Sequence, residues 1–199
     1  MQRKALTHER VFRDAQYAAE YARQHQKMGE NLGKRVSRSL RKRGFEQGRI
    51  IDAGCGSGAT AVYLADAFPG CEIVGIDLSE PLLQEAAASA EAVGVSDRVR
   101  FEVGDAEQLT FDEQSFDVAL SFNMAHIVEH PVQMLDELER ILRRDGHLFI
   151  ADLKRSWLSI FEREMASSFT LSEAQDLFRQ SRIREGKFSS DLIWWRFEA

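Results

Sequence analysis

Three acids and a cluster of glycines are the residues of this chain best suited to chemistry. Asp52 is followed by Gly54, Gly56 and Gly58 at alternate positions. Glycine adopts positive φ easily and lets a ligand approach where a Cβ would clash. Ile50 and Ile51 before the acid, and the alanine-rich run Ala59 to Phe68 after the glycines, make this stretch a strand, a tight turn and a helix. The helix start offers unpaired N–H groups and a dipole that favour an anionic group. An acid beside such an anion site suits a nucleotide-like ligand that also carries positive charge. Asp77 ends the next apolar run, where an acid can accept both hydrogen bonds of a ribose diol. Asp105, after Gly104, is placed to accept from the exocyclic amine of a base. Beyond a further apolar run stand His126 and His130. Either histidine has the chemistry of a general base; for His126 a base and a structural histidine are both open readings, and His130, directly before Pro131, reads as structural. No His, Asp or Glu cluster has metal-ligand spacing.

The elements that must position these groups alternate from Arg49 onward. Strand one ends at the glycine turn, and its helix stops before Pro69-Gly70. Glu72 to Leu78 is strand two. Ser79 then caps a helix with Pro81 in its first turn, Leu82, Ala86, Ala90 and Val93 as its inward stripe, and Gly94 as its stop. Val99, Phe101 and Val103 alternate in strand three, and Phe116 to Phe122 is a continuous apolar run expected of a central parallel strand. Pro131 opens a helix with Val132, Leu135, Leu138 and Leu142 inward, and His147 to Ala151 is strand five. Trp157, Phe161 and Met165 mark a short helix, and Thr170-x-x-Glu173 is a capping box. Two strands around Ile183 to Phe188 and Leu192 to Phe197, linked by Ser189-Ser190-Asp191, imply an antiparallel hairpin. The pattern predicts an α/β fold: a doubly wound, Rossmann-like sheet of seven strands, mostly parallel with the last antiparallel, binding ligands at the strands' C-terminal ends.

Ahead of strand one, residues 9–28 read as a helix with Val11, Ala15, Ala18 and Ala22 at helical spacing and Tyr17 and Tyr21 on a neighbouring face. Lys34 to Arg43 reads as a second helix with a dense, solvated basic face. The chain of 199 residues suits one domain, with residues 1–48 as a helical cap or lid and 49–199 as the core. A net charge of −6 argues against nucleic-acid partners, since phosphate contacts need a basic surface. The first residues show no leader and no segment is long enough to cross a bilayer, so no membrane partner and a cytoplasmic location are expected. Cys55 and Cys71 are then free thiols.

The successive segments Asp52-x-Gly54-x-Gly56-x-Gly58, Gly75-Ile76-Asp77-Leu78-Ser79, Gly104-Asp105-Ala106 and Phe116-Asp117-x-x-x-Ser121 resemble the motifs of class I S-adenosylmethionine-dependent methyltransferases. The nearest likeness is to small-molecule members related to the enzymes of ubiquinone and menaquinone biosynthesis. Arg143-Arg144-Asp145-Gly146-His147-Leu148 resembles the family's turn before strand five, with Arg144-Asp145-Gly146 where that group usually has Lys-Pro-Gly. The resemblance implies S-adenosylmethionine as cofactor. Gly54, Gly56 and Gly58, with Cys55 in the same turn, would pack against its methionine part, and Asp52 would lie near the ammonium group. Asp77 would hold the ribose, Leu78 would pack on the adenine, and Asp105 would read the adenine amine beside the backbone N–H of Ala106. Asn123 would line the pocket near the sulfonium. Tyr17 and Tyr21 resemble aromatic positions of an N-terminal helix that closes over the cofactor, and half-buried core tyrosines are the equal alternative. No Pro-Pro-Tyr follows Asn123 and neither cysteine follows a proline, which leaves a small-molecule acceptor. Trp157, Leu158, Phe161, Met165 and Phe169 are either a substrate lid or core. Two other readings stand beside methyl transfer: a non-catalytic module that only binds S-adenosylmethionine, and an NAD-dependent oxidoreductase, because Gly54-x-Gly56-x-x-Ala59 also satisfies the dinucleotide fingerprint.

Overall fold

The computed structural model describes residues 13–155 and 166–199. The expected helix marked by Trp157, Phe161 and Met165, together with Leu158 and Val11, lies outside the described residues. Among those described, seven strands form one sheet: β1 (Gln47–Ala53), β2 (Gly70–Asp77), β3 (Val99–Val103), β4 (Phe116–Phe122), β5 (Leu142–Leu153), β6 (Lys187–Ser190) and β7 (Trp194–Glu198). Their order is β3-β2-β1-β4-β5-β7-β6. The first five pair in parallel, and β7 lies antiparallel between β5 and β6. The α/β, mostly parallel sheet expected from the alternation is therefore the one found.

Burial follows position in the sheet. Ile50, Ile51, Asp52 and Ala53 of the central β1 are all buried, as are Val118 to Ser121 of β4. Their side chains alternate between two cores. Ile50, Val118 and Leu120 pack with Val36 and Leu40 of α1 (Ala15–Lys42), Leu64 of α2 (Ala59–Ala67) and Ala90 of α3 (Glu80–Val93). Ile51, Ala119 and Ile150 face the other way, against Leu135 and Leu138 of α4 (Pro131–Ile141) and Ala174 and Phe178 of α5 (Leu171–Gln180). Each of the Val, Leu and Ile side chains among them contributes about 1.5–3 kcal/mol on burial. The strand order reverses where β1 meets both β2 and β4, and in open α/β sheets that switch point opens the ligand crevice.

Three elements differ from expectation. The two predicted N-terminal helices are one, α1, of 28 residues, started by Asp14, whose carboxylate accepts from the N–H groups of Gln16 and Tyr17. Gly29 and Gly33 lie between the two predicted helices, and glycine costs about 1 kcal/mol in a helix interior. Tertiary packing overrides that cost. A Cβ on Gly29 would meet Ala59 Cβ at 2.7 Å, and one on Gly33 would meet the Tyr63 ring at 2.7 Å. The two glycines are the seam where α1 lies against α2, and Thr60 Oγ1 donates to the Gly29 carbonyl across it at 3.1 Å.

The basic run is the solvated face expected, with Arg35, Arg38, Arg41, Lys42 and Arg43 all exposed, and three of its guanidinium groups reach neighbours on the chain. Arg35 pairs with Glu198, Arg41 donates to the Ala67 carbonyl, and Arg43 donates to the carbonyl of Ala199. Such surface contacts are individually weak, but they direct these cations toward the chain's own carbonyls and acids.

In the second case, α4 ends at Ile141 and β5 begins at once, so Leu142 is buried in a strand rather than on the helix. Phe116 pairs with Leu142 and Val118 with His147. Arg143 to Gly146 therefore bulges from β5, and the Arg184 guanidinium donates to the carbonyls of Arg143, Arg144 and Gly146. The closing hairpin is present with its strands shifted toward the C-terminus, and its link is Asp191 to Ile193, where the Asp191 carboxylate accepts from the N–H groups of Ile193 and Trp194.

Candidate functional site

Where β1, β2 and β4 stop, the sheet opens into a cleft of about 530 Å³ roofed by the middle of α1. Its floor is the turn between β1 and α2, held to β2 because the N–H groups of Gly54 and Cys55 both donate to the Ile76 carbonyl. Gly54, Gly56 and Gly58 all have positive φ, yet their missing side chains serve different neighbours. A Cβ on Gly54 would collide with Met124, and one on Gly58 would meet Ala86 Cβ at 2.7 Å and the Phe101 ring at 2.8 Å. One on Gly56 would meet nothing within 4 Å. Gly56 is thus the glycine that bares backbone to the cleft. Gly58 points to α3 and β3 and does not line it.

The acids converge as the spacing predicts. Asp77 Oδ2 accepts from the Gly56 N–H and Oδ1 from the Ser79 N–H, both at 2.9 Å. A carboxylate has about four lone-pair sites, so acceptor capacity remains toward the cleft. Asp52 is 3% exposed, and burial, then the charge of Asp77, pushes its carboxyl up to about 7. Burial also raises Asp77, against the lowering effect of its backbone donors, and it raises the Cys55 thiol, reinforced by Asp52 and Asp77. Two desolvated carboxylates side by side are a site short of positive charge. Asp105 is exposed at the mouth, its Oδ1 accepting from Glu107 N–H at 2.8 Å. Buried Ala106 lies beside it, and Leu78, 55% exposed, offers an uncovered apolar face between Asp77 and Asp105. These are the surfaces an adenosine needs, and the open backbone at Gly56 leaves room for the group attached to it.

Beyond β4 the chain turns through Asn123, whose φ of 58° is a left-handed conformation that asparagine tolerates better than other side chains. Its Oδ1 is buried without a hydrogen-bond partner among the described residues. Next comes His126, which lines the cleft and is 2% exposed. Its Nδ1 lies 2.5 Å from Asp152 Oδ1, and its backbone N–H donates to Asp152 Oδ2 at 3.0 Å. Asp152 was not among the expected residues, although it follows the apolar strand-five run much as Asp52 and Asp77 follow theirs.

The roof corrects one expectation and adds another residue. Tyr21 lines the cleft, packed with Ala18 against Leu82 of α3. Tyr17 is 46% exposed and lies outside the cleft. One turn beyond Tyr21, His25 stacks on its ring at 3.8 Å and takes the position expected of a second aromatic. Met28 and Leu32 continue this wall, and Phe122 and Leu153 at the ends of β4 and β5 line the same cleft. The alternation Tyr21, His25, Met28 and Leu32 along one helix face was the available signal.

Comparison with known proteins agrees with this geometry. The family described as "Methyltransferase domain" matches residues 51–150. A phthiotriol/phenolphthiotriol dimycocerosates methyltransferase of Mycobacterium leprae is 36% identical over 54% of this chain and 38% of its own length. The 27-O-demethylrifamycin SV methyltransferase of Amycolatopsis mediterranei is 34% identical over 52% of this chain and 38% of its own. The chain spans less than half the length of the curated relatives it matches. A solved SAM-dependent methyltransferase of Aquifex aeolicus shares the fold with a TM-score of 0.68 at 18% identity, covering 82% of this chain and 88% of that one. With its strand-end acids, its open glycine turn and half its length matched by that family, the chain belongs to the class I S-adenosylmethionine-dependent methyltransferases.

Proposed function

We propose that this protein transfers the methyl group of S-adenosylmethionine to a small-molecule acceptor by in-line displacement, and that His126 takes part at the acceptor side. The observation that carries this reading is that one cleft holds both the nucleoside-reading residues Asp77, Leu78 and Asp105 and, across Asn123, the imidazole of His126. When bound, the cofactor supplies a methyl group already activated on a sulfonium. What remains for the protein is to orient and to exclude water, and orientation is worth about 7–11 kcal/mol in favourable systems. Gly54, Cys55 and Gly56 would hold the methionine part with Asp52 near its ammonium, while Asp77 takes the ribose diol and Leu78 the adenine face. Asp105 and the Ala106 N–H would read the adenine edge, and the orphaned Asn123 oxygen would meet a donor or a partial positive charge near the sulfur. Residues 1–48 would act as the cap of this site, with Tyr21 and His25 of α1 over the cofactor. The apolar wall of Met28, Leu32, Phe122 and Leu153 and the phthiotriol and rifamycin relatives both favour a small acceptor with an apolar body. No helix among the described residues is long and apolar enough to cross a membrane.

Incubation with methyl-tritiated S-adenosylmethionine and metabolite extracts tests the reading. Label should pass to a small molecule; turnover confined to protein or nucleic acid would overturn it.

Asp52 makes cofactor binding depend on pH. Its folded carboxyl is raised from 3.8 to about 7, so the contribution of its retained proton to stability is full below 3.8 and lost as pH rises through about 7. The cofactor's ammonium favours the ionised carboxylate, so binding below that pH expels the proton. Affinity for S-adenosylhomocysteine should rise between pH 5 and about 7 and then level. Calorimetry at pH 6 in buffers of different ionisation enthalpy should show net proton release, and Asp52→Asn should abolish it.

A further inference from the structure

The basic run and Tyr17 lie outside the cleft, on the outward face of α1. Seven Lys and Arg against two Glu give this helix a net charge of +5, and since the whole chain carries −6, the remaining residues carry −11. Positive charge is thus gathered on one element. At 3.6 residues per turn and 1.5 Å per residue, Arg23, Lys27, Arg38 and Lys42 share an arc of about 100° over roughly 28 Å. All four are exposed, and none has a hydrogen-bond or ion-pair partner among the described residues. Lys34 stands in the same arc, 3.9 Å from Glu30. Glu20 is the acid within the arc, and it accepts from Gln24 at 3.2 Å. Tyr17 is 46% exposed and projects within about 20° of the direction of Lys42. The far side of the helix packs Val36 and Leu40 into the core and puts Tyr21, Met28 and Leu32 over the cleft.

We propose that this face of α1 docks on an anionic lipid surface and so presents the cleft to an acceptor dissolved in the bilayer. Each Lys or Arg held near such a surface raises partition by about fivefold, and the cations of one ridge act together. A straight ridge suits a plane. The plane meets the ridge, while the acidic remainder of the protein stays behind it. A nucleic acid long enough to pass the ends of the ridge would instead meet that excess of negative charge. Tyr17 adds the amphipathic ring that membrane interfaces favour. The purpose of the docking rests on the methyl-transfer reading above. A small acceptor with an apolar body dissolves in lipid, and the helix that meets the lipid is also the roof of the cleft the acceptor must enter. The lack of a spanning helix among the described residues does not bear on a contact of this kind, which lies on the bilayer and does not cross it.

Cosedimentation with vesicles tests the docking apart from the chemistry. Wild type should pellet with phosphatidylcholine vesicles that contain about one-third phosphatidylglycerol, and should stay in solution with phosphatidylcholine alone. Salt at about 0.5 M should release it, because the Debye length is then only a few ångströms. Arg23→Gln, Lys27→Gln, Arg38→Gln and Lys42→Gln combined should lower partition by at least about 100-fold. Glutamine is a good helix former, so the circular dichroism and the S-adenosylhomocysteine affinity of this variant should match wild type. The same loss of charge off the ridge, by Arg100→Gln, Arg144→Gln, Arg179→Gln and Lys187→Gln at exposed positions, should leave most of the binding. Pelleting with neither vesicle, equal pelleting with both, or equal losses in the two variants would overturn the docking. Binding of tRNA or duplex DNA at physiological salt without vesicle binding would give the ridge a polynucleotide partner and overturn the lipid assignment. Vesicle binding without S-adenosylhomocysteine binding would instead keep the docking and bring down the methyl-transfer reading, and the acceptor's route with it.

Discussion

Asp77→Ala should reduce affinity for S-adenosylhomocysteine by at least about 100-fold, because two hydrogen bonds to a charged acceptor are worth roughly 1.5–3 kcal/mol each. The structure adds a second reason to expect a large effect. Asp77 also accepts from the N–H groups of Gly56 and Ser79, so it joins the glycine turn to the start of α3. Removing it frees two backbone donors at the point where the ligand docks. Asp77→Asn separates these contributions: its side-chain oxygen can still accept one of the two backbone bonds, but the second position becomes a donor that opposes the ribose hydroxyls. Both variants should remain folded, since burial already raises the Asp77 carboxyl and an uncharged side chain is tolerated there. They should also ease the ionisation of Asp52, because Asp77 is the second cause of its upward shift. Titration calorimetry across pH reads both effects. Wild-type affinity in folded Asp77→Ala would remove the residue from the cofactor site.

Gly56→Ala and Gly58→Ala should fail in opposite ways, although only Ser57 separates the two glycines and both have a left-handed φ. Alanine in that region costs about 1–2 kcal/mol at either position. At Gly58 the added methyl also enters a packed space, 2.7 Å from Ala86 Cβ and 2.8 Å from the Phe101 ring, and overpacking adds about 1–3 kcal/mol. For a chain of this size each kcal/mol moves the melting midpoint by roughly 2–4 °C, so Gly58→Ala should lower Tm by about 10 °C. Gly56→Ala should lower Tm by only a few degrees, because its methyl meets nothing. That methyl stands in the cleft, however, and should cost at least about tenfold in S-adenosylhomocysteine affinity by displacing the ligand from the backbone. Thermal melts with and without ligand distinguish the two. A ligand-dependent loss at Gly58 with none at Gly56 would reverse their assigned roles.

The core of the fold was legible because parallel strands buried on both faces read as continuous apolar runs. Phe116 to Phe122 is the clearest case, with the expected and observed bounds identical. Local signals also served where a side chain closes its own element, as with the Ser79 cap and the Thr170–Glu173 capping box. What stayed hidden depends on neighbours distant in the chain. Gly29 and Gly33 look like helix breakers until α2 is placed against them. The β5 bulge depends on Arg184, dozens of residues later, binding three otherwise exposed carbonyls. In the site, Asp52, Asp77 and Asp105 were legible because strand ends converge by topology. Tyr17 was placed one turn too early along the helix face that carries Tyr21 and His25. Asp152 was missed because its importance lies in a partner, His126, that only the fold brings to it.

A crystal structure of the protein with S-adenosylhomocysteine bound is the most direct measurement of the central claim. The ribose hydroxyls should bond the Asp77 carboxylate, the adenine should lie on Leu78 with its amine toward Asp105, and the methionine part should run over the Gly56 backbone. The sulfur should then face the side of the cleft where Asn123 and His126 lie, with open space between it and the Met28, Leu32, Phe122 and Leu153 wall. A nucleoside bound elsewhere, or a sulfur turned away from that space, would contradict the account.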